Sequence, residues 1–227
     1  MSALTGLASA IIVVRNGERY IAQAIQSVLA QSCPVGELII VDGESTDRTA
    51  EIVRGFDGLR MIQQPGSGLA DARNAGILAA NSNWIAFLDH DDEWVPDKLQ
   101  RQFDALRARP GALYSLGWLE FFTDSDGPLP PGYTEKMLNQ PRPGPTPGTL
   151  LARREVFDLA GLFEGRYSIG CDLAWIKRLR ELGIQGMECS DVLLRKRLHA
   201  GNLSRQARIN RGEIFDILRA SLRRRHG

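Results

Sequence analysis

The 227-residue chain is 43% hydrophobic and 24% charged, which excludes a disordered or fibrous protein and fits one large domain or at most two small ones. No stretch approaches 18 consecutive apolar residues, so no membrane-spanning helix is predicted, and MSALTGLASAIIVVRN has no basic residue ahead of its apolar run, which argues against a secretory leader. The net charge of +1 is unevenly spread: 195–227 holds ten Lys and Arg against two Asp and Glu, +8, which leaves −7 for the rest.

The first half alternates between two periods. Ala8–Val14 reads as a buried strand, and Ile21, Ala24, Ile25, Val28 and Leu29 then recur at helical spacing. Glu37–Asp42 is a second strand that ends in an acid. In STDRTAEIVRGF, Ser45 or Thr46 is the expected helix cap, with Asp47 in the first turn and Ile52, Val53 and Phe56 on one face. Leu59–Ile62 is a weaker strand. GLADARNAGILAA follows, where Ala72, Ala75, Gly76, Ala79 and Ala80 form a stripe of small residues suited to close packing on a sheet. Trp84–Asp89 is the fourth strand, and Pro96–Arg109 a helix carrying Leu99, Phe103 and Leu106. Such alternation implies right-handed βαβ units and a mostly parallel sheet, with ligands bound beyond the C-terminal ends of the strands. Asp42 and Asp89 both lie at such ends.

The second half is less regular. Leu113–Phe122 reads as a strand. Asp124–Gly148, rich in Pro and Gly, reads as a mobile loop. A helix is expected from Arg154 to Ala160 and another from about Asp172, with Trp175, Ile176, Leu179 and Leu182 inward. Two short strands, Ile184–Cys189 and Val192–His199, and an amphipathic C-terminal helix, EIFDILRASLRRR, complete the chain.

WIAFLDHDDEW sets Asp89, Asp91, Asp92 and Glu93 at the end of an apolar strand. Clustered carboxylates suit a hard divalent cation such as Mg²⁺ or Mn²⁺, which completes its shell with water and phosphate. The plainer alternative is a helix N-terminus decorated with acids that its dipole favours. His90, between two of the acids, points away from them if the segment is extended. Trp84 and Trp175 read as core, and Trp94 as packing near a cleft mouth. Cys33, Cys171 and Cys189 are odd in number and irregular in spacing, which fits reduced thiols in a cytosol.

The ordered set IIVVRNGERYIAQAIQSVLAQ, IIVDGESTDRT, ADARNAGI and FLDHDDEW resembles the family 2 glycosyltransferases, strongly over Ala8–Lys98 and more loosely over Thr149–Ser204. The resemblance implies an α/β GT-A type, Rossmann-like fold in one domain, with 1–110 as the nucleotide-sugar half, 111–204 as the acceptor side and 205–227 as a basic helix. It implies transfer of a sugar, with inversion, from a nucleotide-diphosphate sugar (UDP-linked as first expectation) to a saccharide or lipid-linked acceptor in polysaccharide or glycoconjugate synthesis. By the same resemblance Asp42 lies near the base, with Asn16, Arg73, Asn74 and Asp89 on the nucleotide side. Asp89 and Asp91 bind Mg²⁺ or Mn²⁺, Asp92 supports them, and His199, in the late RLHAGNLSR element, is a further candidate for the metal. Asp172 of GCDLAW is the implied catalytic base.

Three departures stand out: Gly43 and Glu44 where the family has an acid and then Gly, and Cys171 where it commonly has an acid. Cys171 and Gly43 keep open a non-catalytic relative that binds nucleotide or a partner protein. A sugar nucleotidyltransferase fits less well, because VVRNGERY lacks a Gly-rich basic loop. No nucleic-acid partner is expected. A cytoplasmic protein is expected, peripheral to the membrane if Arg223–Arg225 meet anionic lipid; the plain alternative for that tail is a solvated helix face.

Overall fold

The computed structural model of the protein describes residues 7–124, 127–168, 170–202, 212, 213, 215–217 and 219. The expected α/β architecture is borne out. Strands β1 (Ala8–Val14), β2 (Glu37–Asp42), β3 (Arg60–Gln63) and β4 (Trp84–Asp89) are parallel, in the order β3-β2-β1-β4. Helices α1 (Ile21–Leu29), α2 (Thr49–Arg54) and α3 (Gly68–Ala79) make the crossovers.

Every residue of β1 is buried, as a central strand covered on both faces requires. The two-residue period divides its side chains between two cores. Ile11 and Val13 join Ile39, Val41 and Phe87 against α3. Ile12 and Val14 join Ile40 and Leu88 against α1 and α4 (Lys98–Arg107). The small-residue stripe of α3 works as expected: a Cβ on Gly76 would stand 2.4 Å from Ile11 Cγ2, so only glycine admits this approach.

The second half extends the same sheet. Strand β8 (Leu151–Arg153) runs antiparallel to β4 and to β6 (Tyr114–Phe122), and β9 (Gly186–Arg197) runs parallel to β6. The two-residue strand β5 (Glu93–Trp94) pairs with the end of β9, Glu93 opposite Arg195 and Trp94 opposite Leu194. That pairing returns the last strand to the carboxyl end of β4. Helices α5 (Glu155–Ala160) and α6 (Cys171–Glu181) join the same core as α3 through Phe157 and Trp175, whose rings stack at 4.9 Å.

Several local expectations are corrected. Helix α2 starts at Thr49, because Asp47 accepts the Thr49 N–H at 3.0 Å from outside the helix, while Ser45 and Thr46 bond to Asn16 instead. The 124–148 segment is tied to β6: Arg142–Pro143 forms strand β7 against it, and Tyr133 packs edge-on to Phe121. The two late strands are one, with a shift of register against β6. Trp94 is not at a cleft mouth but buried, its Nε1 donating to the Phe87 carbonyl. The C-terminal helix lies mostly outside the described residues, Arg223–Arg225 and Ser204 included; residues 212, 213, 215–217 and 219 are helical. Among the described residues no helix is long and apolar enough to cross a membrane.

Lys98 is a buried amine. Its Nζ lies over the Trp94 ring at 4.4 Å and donates to Gln102 Oε1 at 2.7 Å. Burial pulls its pKa from the ordinary 10.5 to about 7. The unfolded chain therefore binds more protons between these values, and this site's penalty fades as pH rises through that window. Wild type should gain stability relative to Lys98→Met between pH 7 and 9.5, measured by denaturant midpoints. Parallel pH profiles would count against this.

Candidate active site

The C-terminal ends of β1, β2 and β4 form one rim. Asp42 ends β2 and Asp89 ends β4, flanking the end of β1, where Val14 pairs with Asp42 and Val13 with Asp89. The parallel register places both acids at the crevice where such sheets bind ligands.

Arg73, on the buried face of α3, joins the two sides of this crevice. One guanidinium nitrogen donates to Asp89 Oδ1 at 3.0 Å, and the other pairs with Asp172 Oδ1. Arg73 is 1% exposed, its plane lies over Phe163, and its Nε has no hydrogen-bond partner among the described residues. Asp172 sits in the first turn of α6, 83 residues beyond Asp89 in the chain. Burial pushes its pKa above the ordinary value, against the pull of Arg73. Cys171 donates its S–H to Asp172 Oδ1 at 3.3 Å. Burial and the neighbouring Asp172 carboxylate push this thiol up to about 12. It therefore stays neutral near pH 7 and adds no charge beside Asp172.

The rest of the acidic run meets the end of β9. Asp91 Oδ2 is 3.0 Å from His199 Nε2 and 3.2 Å from Asn202 Nδ2. Burial raises the Asp91 pKa, but the His199 bond, Lys196 and His90 outweigh it, and the carboxyl is held well below the usual range. Asp92 Oδ2 pairs with Lys196 Nζ at 3.0 Å, and Oδ1 accepts the Arg197 N–H. Arg197, 2% exposed, spans Glu93 at 2.6 Å, Asp124 at 2.8 Å, Gln23 at 2.9 Å and the Asp91 carbonyl at 3.0 Å. Lys196 escaped the sequence reading, which counted it only as tail charge, while Arg197 and Asn202 lay within the RLHAGNLSR element without a role of their own. The signal was their alternation, RKRLH, in a strand long enough to reach the acids. Because Arg195–Arg197 are matched internally, less of the basic excess is left for an outside partner.

On the nucleotide side, the loops after β1 and β2 are laced together. Asn16, at φ 53°, accepts from the Thr46 N–H at 2.8 Å, and its own N–H donates to Ser45 Oγ. Asp42 is buried and accepts from Ser45 N–H and Gln63 Nε2. Glu44 stands at φ 59°, in the left-handed region that favours glycine, at the position where the family carries Gly. Asn74 is turned to the other side, with both amide atoms bonded to the Phe163 backbone.

For the metal, the structure brings Asp91 and His199 together but commits Asp89 Oδ1 to Arg73. Among the described residues no three His, Cys, Asp or Glu side chains are grouped to hold an ion alone. A carboxylate and an imidazole nonetheless fit a cation that takes water and phosphate oxygens as its other ligands. Beside His199, at 4.9 Å between rings, the buried Tyr20 hydroxyl has no hydrogen-bond partner among the described residues, leaving a donor for such a ligand.

A parallel sheet with acids at its strand ends, continued by a second half of mixed strands, defines a GT-A type glycosyltransferase. The same fold is found in S. aureus TarS 1–349 in complex with UDP-GlcNAc (TM-score 0.74, 18% identity, 96% of this chain and 66% of that one). It is also found in the mannosyltransferase PcManGT from Pyrobaculum calidifontis in complex with GDP-Man and Mn²⁺ (TM-score 0.73, 16% identity, 96% and 65%). The chain belongs to glycosyl transferase family 2, whose sequence model matches residues 9–161. Among curated relatives, it is 37% identical over 117 residues to TuaG of Bacillus subtilis, a protein assigned to teichuronic acid biosynthesis (49% of this chain, 46% of the relative). It is 36% identical over 103 residues to the Escherichia coli UDP-Glc:α-D-GlcNAc-diphosphoundecaprenol β-1,3-glucosyltransferase WfgD (44% and 41%). The matches span less than half the length of these relatives.

Proposed function

We propose that this chain transfers a sugar from a nucleotide-diphosphate donor to an acceptor hydroxyl in glycan synthesis, inverting the anomeric carbon. The reading is carried by Arg73, which ties the strand-end acid Asp89 to Asp172 on the opposite element. The donor lies over the ends of β1, β2 and β4, with Asp42 and the Asn16 loop towards its base and Arg73 lining that half, while Asn74 braces the Phe163 backbone instead. The acceptor enters from the α6 side, bordered by the 124–148 segment.

Asp172 takes the proton of the acceptor hydroxyl as that oxygen bonds to the anomeric carbon. The bond from that carbon to the diphosphate oxygen breaks, and the diphosphate leaves with its electron pair. One displacement inverts the centre, through an oxocarbenium-like transition state. Asp91 and His199, with Asp89 nearby and Asp92 in support, would hold Mg²⁺ or Mn²⁺, which when bound neutralises charge on the leaving diphosphate. A UDP-sugar donor and a lipid-linked acceptor are supported by the E. coli relative's name, and Mn²⁺ by the ligands of PcManGT. The site's place is the cytoplasmic side of the membrane, where a lipid-linked acceptor would be met.

The test is a thermal-shift and transfer panel of UDP-, GDP-, dTDP- and CDP-sugars with Mn²⁺, Mg²⁺ or EDTA. A UDP-sugar should raise the melting temperature with metal and little with EDTA, and transfer should follow the same dependence. Undiminished transfer in EDTA would remove the metal, and stabilisation by no donor would remove the donor site.

A further inference from the structure

The acid cluster contains a cation of its own. Along β9, successive side chains face opposite ways. Arg195 and Arg197 turn to Glu93, while Lys196 turns to Asp92, its Nζ 3.0 Å from Asp92 Oδ2 and 4.0 Å from Asp89 Oδ2. The other cations are committed elsewhere: Arg73 to Asp89 Oδ1 and Asp172, and Arg197 to Glu93 and Asp124. Lys196 thus lies on the oxygen of Asp89 that Arg73 leaves free, beside Asp91.

We propose that Lys196 is a tethered counter-ion that holds the acids together in the metal-free protein and makes divalent-cation binding depend on the diphosphate. The proposal rests on the metal reading given above. A cation entering between Asp89 and Asp91 meets a positive charge a few ångströms away in a half-buried site, where screening is weak. Binding of metal alone is thereby opposed. A diphosphate brings negative charge that both cations share, so the opposition disappears when nucleotide and metal arrive together. The acids also need no metal to stay together, because the β5–β9 pairing delivers Lys196 to them in every folded molecule.

The experiment titrates Mn²⁺ into the full chain, following free aquo-Mn²⁺ by electron paramagnetic resonance, with and without UDP. It compares wild type, Lys196→Gln and Lys196→Arg. Glutamine keeps a hydrogen bond to Asp92 and loses the charge; arginine keeps the charge. Lys196→Gln should bind Mn²⁺ alone about tenfold tighter than wild type, and UDP should improve that affinity less. Lys196→Arg should stay close to wild type. Equal Mn²⁺ affinity in wild type and Lys196→Gln would overturn the proposal, as would an equal gain in Lys196→Arg, which would trace the effect to packing. If all three proteins fail to bind Mn²⁺ even with UDP, the metal reading fails and takes this proposal with it. Binding by wild type with no effect of substitution sinks the proposal alone.

Discussion

Asp172→Asn is expected to lower kcat for sugar transfer by about 10²–10⁴-fold, the usual worth of a general base, while nucleotide affinity changes little. The amide keeps the shape of the carboxylate, and its oxygen still accepts from Arg73 and from the Cys171 thiol. It has no basic oxygen to take the acceptor proton. Steady-state transfer, paired with a direct UDP titration, separates the two roles. Because burial raises the Asp172 pKa, wild-type kcat should climb with pH as this carboxyl ionises. Unimpaired transfer by Asp172→Asn would place the base elsewhere. Loss of UDP binding along with transfer would mean that the Arg73 bridge holds the donor side in shape, and that Asp172 is structural.

The second large effect is expected at Arg197. Its guanidinium is the shared partner of Glu93, Asp124 and Gln23, and it stacks over the Tyr20 and Phe122 rings at 4.6 and 4.5 Å. Arg197→Met keeps most of the side-chain volume and strips the charge, taking this cation from the partly buried Asp124 and leaving Glu93 to Arg195. Removing one partner from a buried ion pair costs about 3–5 kcal/mol. For a chain of this length that corresponds to a fall of roughly 10 °C in Tm. Arg197→Lys should recover little, because one ammonium cannot meet three partners in a planar fork. A Tm loss near 2 °C in Arg197→Met would show that the carboxylates find water or other cations instead.

Much of the fold was legible because the first half obeys two clean periods. Ala8–Val14, Glu37–Asp42 and Trp84–Asp89 have the predicted bounds, since each is built on a run of four or five apolar residues. Strands β5 and β8, of two and three residues, were missed because they are too short to show any period. The polar Ser190–Asp191 step in β9 reads as a break in sequence, yet in space it lies where the register against β6 shifts. The site divides in the same way. Arg73, Asp89 and Asp172 were singled out and do converge. That Asn74 faces Phe163, and that Lys196 and Arg197 face the acids, depends on long-range packing that no local pattern encodes.

The short β5–β9 ladder has a consequence for the order in which the molecule is assembled. Asp92 and Arg197 are 105 residues apart, so Asp92 and Glu93 emerge from a ribosome long before Lys196 and Arg197, which pair with them. Loop closure over such a span is slow relative to the local βαβ contacts. The first four strands can therefore be in register while their acidic rim still repels itself. A fragment ending at residue 161 would contain the whole region matched by the family model and lack all of β9. In such a fragment the motif would be complete but the electrostatics would not, because the acidic rim would lack Lys196 and Arg197.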